Sequence, residues 1–222
     1  MVKKVVDSVF ALLGLLVISP LMLVVAVWIK RNSPGPVFYR GVRVGLGGKR
    51  FQVLKFRTMV VDAEKLGGPS TSNDDPRLTK AGRLLRKYKL DEVPQLINVL
   101  KGEMSLVGPR PEVPLEVDLY TPEERQLLAV RPGITDWASI RFCNEGELLR
   151  GSPDPHLAYW ETIRPEKIRL GLEYTKHHSF WIDFRIVLAT LWAVAGGKPG
   201  GLGGIPTAAA KNTPVPFRAK TL

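Results

Sequence analysis

The chain has 222 residues and is 45% hydrophobic, enough for one cored domain with or without a membrane element. Its 32 basic and 21 acidic residues leave a net charge of +11, which points to anionic partners: nucleic acid, anionic lipid or phosphorylated substrates. A single cysteine, Cys143, excludes an internal disulfide and a cysteine-based zinc cluster, and the histidines, with His177 and His178 adjacent, match no metal-ligand spacing.

From Ser8 to Ile29 there are 22 residues without a charge. As a straight helix such a run measures about 33 Å, enough to cross a hydrocarbon core of roughly 30 Å. It ends in Trp28-Ile29-Lys30-Arg31, which is not a small-residue cleavage site, so a removable signal peptide fits poorly. Lys3 and Lys4 precede the run and Lys30 and Arg31 follow it, so the positive-inside rule asks both ends to be cytoplasmic. Ser19-Pro20 divides it into arms of about 12 and 10 residues, roughly 18 and 15 Å. Pro20 has no N–H for the carbonyl of Leu16, and Ser19 can bond back to Leu15, so a bend is expected there. The residues leave two topologies open: a re-entrant helix-break-helix over 1–31, and a kinked single span.

Asn32-Ser33-Pro34-Gly35-Pro36 ends this helix, and Val37 to Met59 reads as short strands with a turn at Gly45-Leu46-Gly47-Gly48. Gly48-Lys49 is followed by Arg50, and no glycine stands five residues earlier, so the turn is a hairpin and not a Walker loop. After a polar loop from Leu66 to Pro76, Thr79 suits the N-cap of a helix through Tyr88. A second helix is expected to begin near Asp91, with Val93, Leu96, Ile97 and Leu100 at helical spacing and Gly102 as its stop. Pro122 to Val130 reads as a short helix and Arg131 to Thr135 as a loop. Pro165 to Thr190 is mostly helical, with Trp181, Phe184, Leu188 and Trp192 on one face, suiting a core helix or one lying on a membrane. The expected fold is α+β and mainly helical: a membrane element over 1–31, a domain over 32–195 and a loosely ordered Gly/Pro/Ala-rich tail over 196–222.

Adjacent carboxylates at the mouth of an apolar helix, Asp91 and Glu92, stand among Lys55, Arg57, Arg77, Arg83, Arg86 and Arg110. At a helix N-terminus the two acids can converge, and arginine forks can grip phosphate oxygens beside them. A lone Asp-Glu pair is more often an ordinary N-cap beside a solvated basic face. The order of segments argues otherwise. Ser33-Pro34-Gly35-Pro36-Val37-Phe38-Tyr39-Arg40, Lys55-Phe56-Arg57-Thr58-Met59, Asp75-Pro76-Arg77-Leu78-Thr79, Leu90-Asp91-Glu92-Val93-Pro94-Gln95-Leu96, Met104-Ser105-Leu106-Val107-Gly108-Pro109-Arg110-Pro111-Glu112 and Arg131-Pro132-Gly133-Ile134-Thr135 follow one another. In that series the chain resembles the monotopic phosphoglycosyl transferases, the bacterial sugar transferase family, and in length their minimal catalytic form.

The resemblance implies transfer of a sugar-1-phosphate from a UDP-sugar to polyprenyl phosphate, with release of UMP, on the cytoplasmic face of a bacterial inner membrane. It implies Asp91 as nucleophile and magnesium ligand, and Glu92 as its dyad partner, with Mg2+ as cofactor. Arg86, Arg110, Pro109, Pro111, Lys55, Arg57 and Arg77 would serve the phosphates and the nucleotide. The membrane helix would be re-entrant and break at Ser19-Pro20. The other partner would be the anionic inner leaflet rather than nucleic acid, with room for a homodimer. Thr135-Asp136-Trp137-Ala138-Ser139-Ile140-Arg141-Phe142 departs from the common family pattern and leaves the sugar open. Two other classes fit parts of the sequence: a membrane-anchored basic protein binding nucleic acid or anionic lipid, and a single-span hydrolase using the same acids as general acid and base. The first explains the charge but not the ordered motifs.

Overall fold

The apolar segment forms one helix, α1 (Val2–Asn32), and the rest of the fold is laid along one of its faces. The computed structural model describes residues 2–66, 71–197 and 206, so nearly all of the Gly/Pro/Ala-rich tail lies outside the described residues. The buried residues of α1 are Asp7, Ala11, Val25 and Ile29, whose spacing returns to the same face of a 3.6-residue helix. Ala11 packs with Val53, Val99 and Met104, while Val25 and Ile29 pack with Phe56 and Leu85. Both ends are tied to the same domain: Lys3 pairs with Asp183, and the Asn32 side chain accepts from the Ala81 amide at 3.2 Å.

α1 is one helical element with Ser19-Pro20 inside it. Ser19 Oγ donates to the Leu16 carbonyl at 3.0 Å, not to that of Leu15. Leu16 is the carbonyl that Pro20 cannot serve, so the hydroxyl supplies the hydrogen bond that the ring removes. The outward face stays uncovered, with Leu16 64% and Val17 83% exposed next to the Ser-Pro pair.

The expected hairpin is present. Strands β1 (Phe38–Val44) and β2 (Arg50–Phe56) pair antiparallel, from Phe38 opposite Phe56 to Val44 opposite Arg50. Gly47 and Gly48, at φ +64° and +80°, turn the chain between them, a conformation glycine adopts without strain. Thr79 caps α2 (Lys80–Lys87) by accepting from the Gly82 amide. A Cβ on Gly82 would lie 1.9 Å from the Thr58 carbonyl oxygen, so α2 approaches the chain beyond β2 as closely as backbone allows. Lys89, at φ +55°, then reverses the chain into a 3-10 turn, Leu90–Glu92, followed by α3 (Gln95–Leu100). Gly102 follows the end of α3 at φ +77°.

The segment read as a loop, Arg131 to Thr135, contains a strand instead. β3 (Ser105–Val107) and β4 (Gly133–Thr135) form a parallel pair, too short to show alternation in sequence. Gly108 and Gly133 meet there: a Cβ on Gly133 would lie 2.1 Å from the Gly108 nitrogen. Between the strands lie α4 (Pro114–Asp118) and a 3-10 turn over Glu124–Ala129. Beyond them come α5 (Trp137–Arg141), α6 (Glu145–Leu148), α7 (Pro155–Ala158) and a π-helical turn, Tyr159–Ile163. The run read as one helical stretch is two helices, α8 (Arg164–His177) and α9 (Phe180–Val194), with Ser179 capping the second. α9 buries Ile186 and Ala189 in a core with Val107, Trp137, Leu170 and Tyr174. Its Trp181, Phe184, Leu188 and Trp192 face outward, with Trp181 71% exposed. The structure therefore decides against that aromatic face as core.

Candidate active site

Asp91 and Glu92 share a tight turn but meet different surroundings. Glu92 Oε1 accepts from Lys55 Nζ at 2.8 Å and from Arg110 Nη2 at 2.7 Å. Burial pushes the Glu92 carboxyl up, but Arg110 and Lys55 more than offset this and hold it well below the usual range. Asp91 is buried, and its Oδ1 has no hydrogen-bond partner among the described residues. Burial, reinforced by the charge of Glu92, raises the Asp91 carboxyl, against the pull of Lys55, Arg86 and Lys89. The two acids are thus driven apart, one a fixed anion and the other a desolvated carboxyl with an unpaired oxygen. Such divergence within one acid pair makes it the candidate for chemistry.

Three elements assemble this arrangement. The hairpin register places Lys55 opposite Tyr39 on β2. Asn98 of α3 joins α3 to β2, accepting from the Leu54 amide at 2.9 Å and donating to the Gln52 carbonyl at 2.8 Å. The β3–β4 pair carries Arg110, because Gly133 donates to the Pro109 carbonyl at 3.0 Å and Gly108 to that of Thr135 at 3.0 Å. Arg110 also donates through Nη1 to the Ile134 carbonyl. A cleft beside it is lined by Pro109, Pro111, Gly45, Tyr120, Leu127 and Pro132. Against the other flank, Leu90 and Val93 join Ile18, Leu21, Met22, Val25 and Phe56 around an apolar crevice.

Of the residues expected from sequence, Asp91, Glu92, Lys55, Arg110, Pro109 and Pro111 come together. Arg86 stands within electrostatic reach of Asp91 and makes no ion pair among the described residues. Arg57 is placed elsewhere: it donates to the Ser33 carbonyl at 2.8 Å and to that of Pro34, clamping the turn after α1. Arg77 is likewise committed, its Nε and Nη2 held along one edge by the Asp75 carboxylate at 2.7 to 3.1 Å. Asp91 is not the N-cap suggested by its position, since Lys89 precedes the 3-10 turn and Pro94 precedes α3. Sequence reasoning missed Gln95, Asn98 and Asp136. Asp136 caps α5 by accepting from the Ser139 amide at 2.6 Å, and its charge reaches Arg110. A polar residue at an apolar helix position was the one available signal for Gln95 and Asn98.

Among the described residues no three Asp, Glu, His or Cys side chains converge as a metal cage. The unpartnered Asp91 Oδ1 still suits Mg2+ in the mode where one carboxylate is completed by substrate phosphates. Glu92 does not, being committed to two cations.

The family model of bacterial sugar transferases matches residues 1–197, and the chain belongs to that family. A UDP-glucose:undecaprenyl-phosphate glucose-1-phosphate transferase of Escherichia coli (strain K12) is 41% identical over 200 residues, covering 86% of this chain and 40% of that protein. A protein of the same name from Caulobacter vibrioides is 40% identical over 192 residues, covering 85% of this chain and 68% of its own length. A UDP-N-acetylgalactosamine-undecaprenyl-phosphate N-acetylgalactosaminephosphotransferase of Aeromonas hydrophila is 37% identical over 199 residues, covering 88% and 44%. The chain spans less than half the length of the first and third of these relatives.

Proposed function

We propose that this chain transfers a sugar-1-phosphate from a UDP-sugar to polyprenyl phosphate through a covalent phosphosugar intermediate on Asp91. The observation that carries this reading is the buried carboxyl of Asp91, with one oxygen unpartnered among the described residues, beside a Glu92 held by Lys55 and Arg110. An Asp91 oxygen forms a bond to the sugar-bearing phosphorus. The bond from that phosphorus to the bridging oxygen breaks, and its electron pair leaves with UMP. An oxygen of polyprenyl phosphate then attacks the same phosphorus, giving polyprenyl-diphosphate sugar and releasing the carboxylate. Two difficult anionic encounters are thereby separated. Arg86 supplies charge and a planar fork for the diphosphate, and Arg110, whose terminal nitrogens hold Glu92 and the Ile134 carbonyl, supplies charge. Mg2+, held by Asp91 and the diphosphate, would neutralise charge on the leaving phosphate.

The apolar crevice beside Leu90 and Val93 suits the isoprenoid chain of the acceptor, whose phosphate would then meet Asp91. The uncovered face of α1 and the outward aromatics of α9 suit a membrane surface, with both ends of α1 on the cytoplasmic side of a bacterial inner membrane. Contact of residues 3, 7, 11, 25, 29 and 32 with one domain supports a helix that dips in and returns at Ser19-Pro20 over a span. The sugar stays open, because relatives of similar identity are named for glucose and for N-acetylgalactosamine.

Purified protein given a UDP-sugar and Mg2+ without polyprenyl phosphate should release UMP in a burst of at most about one per active site. The peptide containing Asp91 should gain the mass of the sugar phosphate, and Asp91→Asn should abolish both signals. Continuous lipid-free turnover would indicate hydrolysis instead. Activity retained in Asp91→Asn would overturn the covalent route. A panel of UDP-sugars read by the same burst identifies the donor.

A further inference from the structure

Gln95 is the first residue of α3, four residues beyond Asp91, and it is 0% exposed. Arg110, which donates through Nη2 to Glu92, joins Gln95 to the acid pair. The Gln95 Oε1 lies 3.5 Å from Arg110 Nη1, at the outer limit of a hydrogen bond. Its Nε2 has no partner among the described residues. Leaving a buried amide donor unpaired costs about 1–3 kcal/mol. Leucine would fill the position without that penalty, and the following residues, Leu96 and Ile97, are apolar. The site thus holds two complementary unpaired groups, a donor on Gln95 and an acceptor on Asp91. They are not bonded to each other, and a phosphoryl group reacting at Asp91 would present an oxygen acceptor to the Gln95 amide.

We infer that Gln95 contacts the substrate, its Nε2–H donating to a non-bridging oxygen of the phosphoryl group transferred at Asp91. The inference rests on the proposed phosphoryl transfer and assigns a residue to it. A neutral donor suits this place. A lysine or arginine so near Asp91 would pair with the carboxylate and blunt its attack, whereas an amide N–H stabilises charge gathering on the phosphoryl oxygens without doing so. The donor is held by burial before the substrate arrives. One such donor is typically worth about 10²–10³ in rate.

Two variants separate this role from its rivals. Gln95→Leu removes donor and acceptor, while Gln95→Glu keeps an acceptor for Arg110 and loses the donor. The lipid-free UMP burst rate at saturating UDP-sugar, the KM for UDP-sugar and the melting temperature are measured for both, in parallel with wild type. Both should burst about 10²–10³-fold more slowly with KM changed only a few-fold. Gln95→Leu should melt at or above the wild-type temperature, because an unpaired buried donor has been removed. A wild-type burst rate in Gln95→Leu with a lower melting temperature would overturn the inference and make the amide a structural group. Near-normal rates in Gln95→Glu would also overturn it, leaving only the contact with Arg110. If wild type shows no burst, the covalent reading fails by itself. The same two variants are then compared in full transfer to polyprenyl phosphate, where equal rates would reject Gln95 as a donor.

Discussion

Replacing Glu92 with glutamine keeps the shape of the side chain and removes the charge between two cations. Glu92 Oε1 holds Lys55 and Arg110 at 2.8 and 2.7 Å, with the three side chains 20 to 24% exposed. Breaking a buried ion pair typically costs about 3–5 kcal/mol and a surface pair at most about 1, so this intermediate site should lose about 2–3 kcal/mol. At roughly 2–4 °C per kcal/mol for a chain of this size, the melting temperature should fall by about 4–12 °C at pH 7. Because Glu92 is held well below its ordinary range, its stabilisation is present above the unfolded-state value of about 4.3. It is lost as pH falls through the depressed folded value, so the deficit of the variant should shrink in strong acid. The pH–rate profile reports on Asp91 separately. Glu92 raises the Asp91 carboxyl by like-charge repulsion, so its removal should move the acid limb of the burst rate to lower pH. Thermal melts across pH and single-turnover UMP release test both effects on one preparation. A melting temperature within about 1 °C of wild type, or an acid limb displaced upward, would refute the view of Glu92 as a charged strut.

Arg86→Gln should move the acid limb the other way, to higher pH, because Arg86 is one of the cations that pull the Asp91 carboxyl down; an unmoved limb in the same assay would remove Arg86 from the site. Arg110→Lys keeps the charge but cannot span Glu92, the Ile134 carbonyl and a phosphate together, so kcat/KM should fall about 10–100-fold, and near-normal turnover would leave Arg110 as general positive charge. Gly133→Ala sets a Cβ 2.1 Å from the Gly108 nitrogen, where backbone cannot yield, so stability should drop by about 3 kcal/mol or more together with activity; a wild-type melt would contradict the close strand contact. Cysteines at Lys4 and Lys30 in a Cys143→Ser background should label alike with an impermeant thiol reagent, and labelling from opposite faces would establish a span.

The elements that depend on local chemistry were legible in the residues alone. The Gly47-Gly48 turn, the Thr79 cap and the apolar run of α1 declare themselves because backbone freedom, a capping hydroxyl and unbroken hydrophobicity act over a few neighbouring positions. The acid pair and its basic company were visible for the same reason. Their division of labour was not, since Glu92 becomes a strut only when β2 and the chain after β3 deliver Lys55 and Arg110 to it. Tertiary structure likewise directed Arg57 to the Ser33-Pro34 turn and Arg77 to Asp75, because a long cation pairs with whichever acceptor folding brings near. The parallel β3–β4 pair is not legible in sequence, as three-residue strands carry no periodicity and their stability lies in contacts distant along the chain. Sequence established that α9 has an aromatic face, and only packing decided that Ile186 and Ala189 point inward while Trp181 and Trp192 point out. A pattern of period 3.6 identifies a stripe, and burial depends on what the rest of the fold places against it.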